Sequence, residues 1–150
     1  MRILLLIALL YIFIACKKET KEEFYNANIN EIDAVLLLNN DSNALNLILR
    51  TRELQGEGFI EGEVNTSNNI YSFYLHNLKL AKEGGPLDTM SYPRFNYQFP
   101  SLQSGEYPIT INIDSRAQEK GKLIVSPRRF EVKMDSFSTI GFPLGNILEY

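Results

Sequence analysis

From residue 32 onward, short apolar runs alternate with clusters of Asn, Asp, Ser and Gly. Ile32 to Leu38 is an apolar run closed by Asn39-Asn40-Asp41-Ser42-Asn43, residues that bond their own backbone in turns. In Leu45 to Arg52, Leu47, Leu49 and Thr51 share one face, and Ile48, Arg50 and Arg52 the other. That period of two marks a half-buried strand. Phe59 to Val64 repeats it, with Ile60 and Val64 against Glu61 and Glu63. A hairpin joining these two runs sets Arg50 and Arg52 near Glu61 and Glu63, an arrangement that stabilises a strand pair modestly. Thr66 to Asn69 predicts a turn before Ile70 to Leu80, the longest strand candidate. Arg94 to Phe99, Tyr107 to Ile113, Lys122 to Val125, Arg129 to Met134 and Phe137 to Phe142 complete the series, with Pro127 marking a bend or a sheet edge. No long amphipathic helix and no internal repeat interrupts it. The pattern predicts an all-β chain: a single antiparallel β-sandwich of about 7–9 strands, with a small β-barrel as the alternative.

The first 15 residues follow a different rule. Met1-Arg2 leads into Ile3 to Ala15, which holds no charged residue. Thirteen apolar residues are too few to span a bilayer, which takes about 20, and match the core of a secretory signal peptide. Cys16, the only cysteine, follows immediately, and Lys17-Lys18-Glu19-Thr20-Lys21-Glu22-Glu23 begins at once.

Phe13-Ile14-Ala15-Cys16 resembles the lipobox of bacterial lipoproteins: apolar, apolar, small, cysteine, with Phe13 where leucine is usual. The resemblance implies that residues 1–15 are removed and that Cys16 is acylated as the first residue of the mature chain. Two or more acyl chains hold a protein stably on a membrane, where one does not. It also implies a bacterial cell-envelope location, anchored in the outer membrane and facing the periplasm or the surface. The Lys- and Glu-rich run after Cys16 resembles the export signals of surface lipoproteins in the Bacteroidetes group; as chemistry alone it is a solvated tether.

Composition narrows the partners. Without Arg2, 14 basic side chains stand against 18 acidic ones, a charge of −4. Phosphate backbones need a basic surface, so nucleic acid is not expected as a partner. Residues 16–31 read as a lipidated Cys and flexible tether, and residues 32–150 as one β-sandwich domain. Within that domain Leu102, Gly105 and Tyr107 resemble the Leu-x-x-Gly-x-Tyr corner of immunoglobulin-like, fibronectin type III and transthyretin-like sandwich modules. The resemblance implies a Tyr107 hydroxyl bonded back to the chain just upstream. Pro108 sits awkwardly there, since it removes one ladder donor.

Chemistry-bearing residues are sparse. His76, the only histidine, has no catalytic motif around it and reads as structural. Metal sites take three or four ligands, so no metal and no other cofactor is expected. Glu53, Glu57, Glu61 and Glu63 could supply the carboxylate pair of a glycan-acting hydrolase, but cross-strand ion pairing accounts for them. The turn at residues 39–43 has oxygen ligands but neither the glycine nor the terminal glutamate of a calcium loop. The long loop at residues 81–91 and the aromatic run after it are the best candidate binding surface, with Leu87, Asp88, Tyr92 and Tyr97 as its residues; Phe95 and Phe99 read as core. The expectation is a non-enzymatic module that binds or assembles with an envelope protein or glycan. A barrel carrying a small apolar ligand is the alternative.

Replacing Cys16 by Ser tests the anchor. The variant should lose metabolic palmitate labelling and leave the membrane pellet; a variant that still sediments with membranes and still labels would sink the lipobox reading.

Overall fold

A computed structural model describes residues 24–29, 34–41, 44–53, 55–82, 91–116, 118–135, 140–142 and 147–149. Among these residues ten strands form two sheets: β1 (Phe24–Ala27), β2 (Ala34–Asp41), β3 (Ala44–Thr51), β4 (Gly58–Ser67), β5 (Ile70–Ala81), β6 (Arg94–Gln98), β7 (Gly105–Ile113), β8 (Glu119–Ser126), β9 (Arg129–Met134) and β10 (Ile147–Glu149). The larger sheet is built on β5. One edge of β5 carries β4; the other carries β1 at Leu78 to Ala81 and β7 at Tyr71 to Leu75, end to end. Strands β8, β9 and β10 follow β7 in order. The smaller sheet is β2-β3-β6. The larger sheet curls like half of a barrel, and the chain is all-β. Strand β4 runs beside β6 and β10 beside β2, so the two layers meet along both sides. Among the described residues no helix is long and apolar enough to cross a membrane.

The alternation read from the sequence explains the core. Leu45, Leu47, Leu49 and Thr51 of β3 face inward, opposite Tyr71, Phe73, Leu75, Leu78 and Leu80 of β5 and Ile109, Ile111 and Ile113 of β7. Leu123 and Val132 extend the same layer and are fully buried. Phe73, Tyr97 and Phe99 meet edge-on, with ring centroids 5.0–6.4 Å apart. That arrangement sets the positive ring edge against the negative ring face.

Four expectations change. The hairpin between residues 45–52 and 59–64 does not form: β3 pairs with β2 and β6, and β4 pairs with β5 in the other sheet. Glu61 takes its partners from β5 instead, accepting a hydrogen bond from Asn77 Nδ2 at 3.0 Å with Lys79 Nζ at 3.6 Å. Residues 24–29, assigned to the tether, belong to the domain, because β1 completes the edge of β5 and Ile29 is buried. The sandwich is not wholly antiparallel. Between β5 and β7 the chain crosses to the smaller sheet as β6 and returns, and this double crossing leaves β5 and β7 parallel. Unbroken alternation along Ile70 to Leu80 would set His76 and Leu78 on one face, and it does not hold. Glu61 pairs with Asn77 and Gly62 with Leu75, so His76 is the extra residue of a β-bulge. The bulge moves the inward set from odd positions to even ones, taking Leu78 and Leu80 into the core and leaving His76 exposed.

Two local devices fix the β4–β5 ladder. Asn68 and Asn69 have φ of 49° and 63°, both left-handed, which makes the two-residue turn whose twist matches the strands it joins. Opposite the bulge, a Cβ on Gly62 would lie 2.6 Å from the Tyr74 carbonyl oxygen and 2.8 Å from Leu75 Cδ2, so only glycine fits. The rest of Phe137 to Phe142 that was expected as a strand lies largely outside the described residues. Its described part, at Gly141, accepts a hydrogen bond from Leu36 N at 3.0 Å and bridges β2.

Phe73 sits at the centre of this packing. Phe73→Ala should destabilise the domain by about 3–5 kcal/mol, the usual cost of emptying a packed aromatic site. Urea unfolding measures it, and a loss below about 1 kcal/mol would contradict the described core.

Candidate functional site

The smaller sheet turns one face to β5; its opposite face is covered at Val35 and exposed at Arg94. Val35, Arg50 and Arg94 lie in register across its three strands, and Leu37, Ile48 and Asn96 form the next row. Val35 is buried, Arg50 is half-buried and Arg94 is exposed. The residues entering β6 are tied to the end of β3, because Thr51 N donates to the Pro93 carbonyl at 3.1 Å. A second tie runs from Gln55 N to the Ser91 carbonyl at 3.1 Å, and a third from Ser91 Oγ to the Gly56 carbonyl at 2.9 Å. These bonds hold Tyr92 beside Arg50. The guanidinium carbon of Arg50 lies 4.0 Å from the centre of the Tyr92 ring, and Arg50 Nη1 also donates to the Thr51 carbonyl at 3.0 Å.

Two arginines side by side on one sheet face oppose each other electrostatically, and like charges directly opposite destabilise a strand pair. The Tyr92 ring offsets part of that cost by presenting its negative face to Arg50. Tyr92 itself is 41% exposed. The result is a small cationic and aromatic surface on a protein of net negative charge. Its groups donate hydrogen bonds and attract anions.

The structure separates the four residues singled out from the sequence. Tyr92 lies on this surface. Tyr97 turns inward, 5.4 Å from Phe73 and 6.1 Å from Tyr71 by ring centroids, and packs against the core. Leu87 and Asp88 lie outside the described residues. Arg50 and Arg94 were missed as a pair because Arg50 had been matched to the glutamates of β4. The available signal was that both are charged residues on the outward phase of apolar or aromatic strands.

The acidic candidates are engaged elsewhere or simply solvated. Glu61 contacts Asn77 and Lys79, and Glu53, Glu57 and Glu63 are exposed. Glu106 accepts two bonds from Lys122 at 2.9 and 3.0 Å, while Glu131 meets Arg129 at 2.7 Å and Lys133 at 3.4 Å. Among the described residues no group of three His, Cys, Asp or Glu side chains could hold a metal ion. Between the layers, Ile29, Leu49, Arg50, Thr51, Ile60, Leu75 and Ile113 line a small, largely apolar cavity of about 10 Å³, room for one water molecule.

The corner implied by Leu102, Gly105 and Tyr107 does form at the start of β7, where Tyr107 Oη donates to the Gln103 carbonyl at 2.8 Å. Pro108 lies in register with Lys122 of β8, and β5 pairs only with residues 109–113, so the proline costs the β5 ladder no donor. Comparison with protein-family models, with curated proteins and with solved structures found no match for this chain.

Tyr71 joins this corner to the core, with its ring near those of Tyr97, Phe99 and Tyr107. Burial raises its pKa above the ordinary value of 10.0, and the neighbouring Tyr97 and Tyr107 push the same way. A raised pKa means that the folded state holds this proton more tightly than the unfolded state. The stability is therefore complete below the unfolded value and is lost as pH rises through the folded one. Thermal unfolding should show stability falling above pH 10.0, and Tyr71→Phe should flatten that fall. An unchanged slope would assign the alkaline sensitivity to another group.

Proposed function

We infer that this chain is a lipid-anchored protein of the bacterial cell envelope whose β-domain binds a partner protein or glycan and catalyses no reaction. The anchor is the diacylated Cys16, and the contact surface is the outward face carrying Tyr92, Arg50 and Arg94. One observation carries the binding reading: two arginines are held abreast on an outward face, one of them stacked on an exposed tyrosine. Local stability disfavours that arrangement. A partner bearing carboxylate, sulfate or phosphate groups makes it favourable, since Arg binds such groups bidentately and Tyr adds rigid contact area.

The hydrolase reading draws less support. Glycan hydrolysis takes two carboxylates held across a cleft, whereas Glu61 is tied to Asn77 and Lys79 on a sheet face.

Crosslinking of the anchored protein in its own envelope, followed by capture of the adduct, identifies the partner. Changing both Arg50 and Arg94 to Ala should weaken capture by about tenfold or more, equivalent to about 1.4 kcal/mol. His76→Ala, an exposed change on the other sheet, should leave capture unaltered. Equal capture by all three proteins would remove this surface from consideration.

A further inference from the structure

The outer face of the larger sheet is polar along most of its width. Thr110 Oγ1 donates to Ser72 Oγ at 3.0 Å, Asn112 Nδ2 to the Phe73 carbonyl at 3.1 Å, and Gln118 Nε2 to Asn112 Oδ1 at 3.1 Å. One corner departs from this. Phe24 of β1 and Phe59 of β4 flank β5 from opposite edges, level with Ala81 and Lys79. Their ring centroids are 5.4 Å apart and their planes 70° apart, an edge-to-face contact that small Ala81 leaves room for. Phe59 is 41% exposed and Phe24 is half-buried against it. Tyr25, next along β1, pairs with inward-facing Leu80 and so lies on the opposite face, which leaves an aromatic pair on the outer face at this end of the sheet.

That end is also the one from which the chain leads back to Cys16. Only seven residues lie between Cys16 and Phe24, eight steps along the chain. Fully extended, they reach at most about 28 Å. A lipid on Cys16 therefore confines this corner to the neighbourhood of the bilayer surface, and aromatic side chains favour the interface between headgroups and hydrocarbon. We propose that Phe24 and Phe59 form a lipid-contacting corner that seats the domain on the bilayer next to its anchor. The proposal rests on the acylation of Cys16 inferred above. Attachment comes from the acyl chains, and the aromatic corner sets the orientation. The Asn68–Asn69 turn, at the other end of the β4–β5 pair, then points away from the membrane.

The chain contains no tryptophan, so a single introduced one reports its own position. Lipidated full-length Phe59→Trp is reconstituted into phosphatidylethanolamine–phosphatidylglycerol vesicles whose acyl chains are brominated. Ile70→Trp, a site 40% exposed at the far end of β5, is the comparison, and circular dichroism checks that both variants are folded. The expected result is a blue shift and loss of most emission at position 59, with neither at position 70. Unquenched emission at position 59 from protein that floats with the vesicles and carries the diacyl mass on Cys16 overturns the corner while leaving the anchor intact. Equal quenching at both positions overturns the orientation. Absence of the acyl mass overturns the anchor, and the corner's confinement to the membrane falls with it.

Discussion

Strand β5 is the member on which the other parts of the domain depend. It is the one described strand that borders three others, β4, β1 and β7, and its inward side chains fill the middle of the space between the sheets. Twelve residues are long for a strand buried on one face, because sheet twist carries the far end of a regular ladder off its core. The bulge at His76 addresses this. By adding one residue it resets the inward phase, so that Tyr71, Phe73 and Leu75 pack at one end and Leu78 and Leu80 at the other. Gly62 opposite the bulge removes the side chain that would collide with it.

The two outward faces follow from that interior with different consequences. On the larger sheet, hydrogen bonds and ion pairs join neighbouring strands, and opposite charges are placed in contact. Such exposed pairs contribute little stability each, but they keep the face solvated and discourage pairing with other chains. On the smaller sheet, charge is arranged the other way. Arg50 and Arg94 are abreast, and Arg50 is steadied by the Thr51 carbonyl and the Tyr92 ring. A face that spends stability in this way is the natural place to look for a partner. The Ser91 and Pro93 bonds that fix Tyr92 against β3 make it a preformed surface.

Strand existence was legible because period-two alternation is a local property. The observed β4, β5, β7 and β9 lie within a few residues of the runs read from the alternation. The Tyr107 corner was legible for the same reason, since donor and acceptor are four residues apart. Strand β1 was not, because Phe24 to Ala27 is too short and too polar in its surroundings to stand out until β5 offers it an edge. The bulge left a trace in the sequence, a spacing of three between Leu75 and Leu78 within a run of twos, but a single phase slip does not say which strand faces it. For the candidate site, exposed Tyr92 was legible and its neighbours were not. Tyr97 carries the same side chain five residues on, and only the direction of its backbone sent it inward.

What the sequence determined by itself is what depends on near neighbours along the chain: an apolar run ending at a lone cysteine, an all-β body, the turns at Asn and Gly, and the alternation that assigns most side chains to one face or the other. Tertiary structure decided which strands pair. Several strands of similar length and pattern are interchangeable partners in sequence, and a β ladder is held by backbone groups that every residue carries. The choice is made by how the inward side chains fill the space between the layers. That choice placed β3 and β4 in different sheets, freed Arg50 from the glutamates of β4, and brought it under Tyr92 and alongside Arg94.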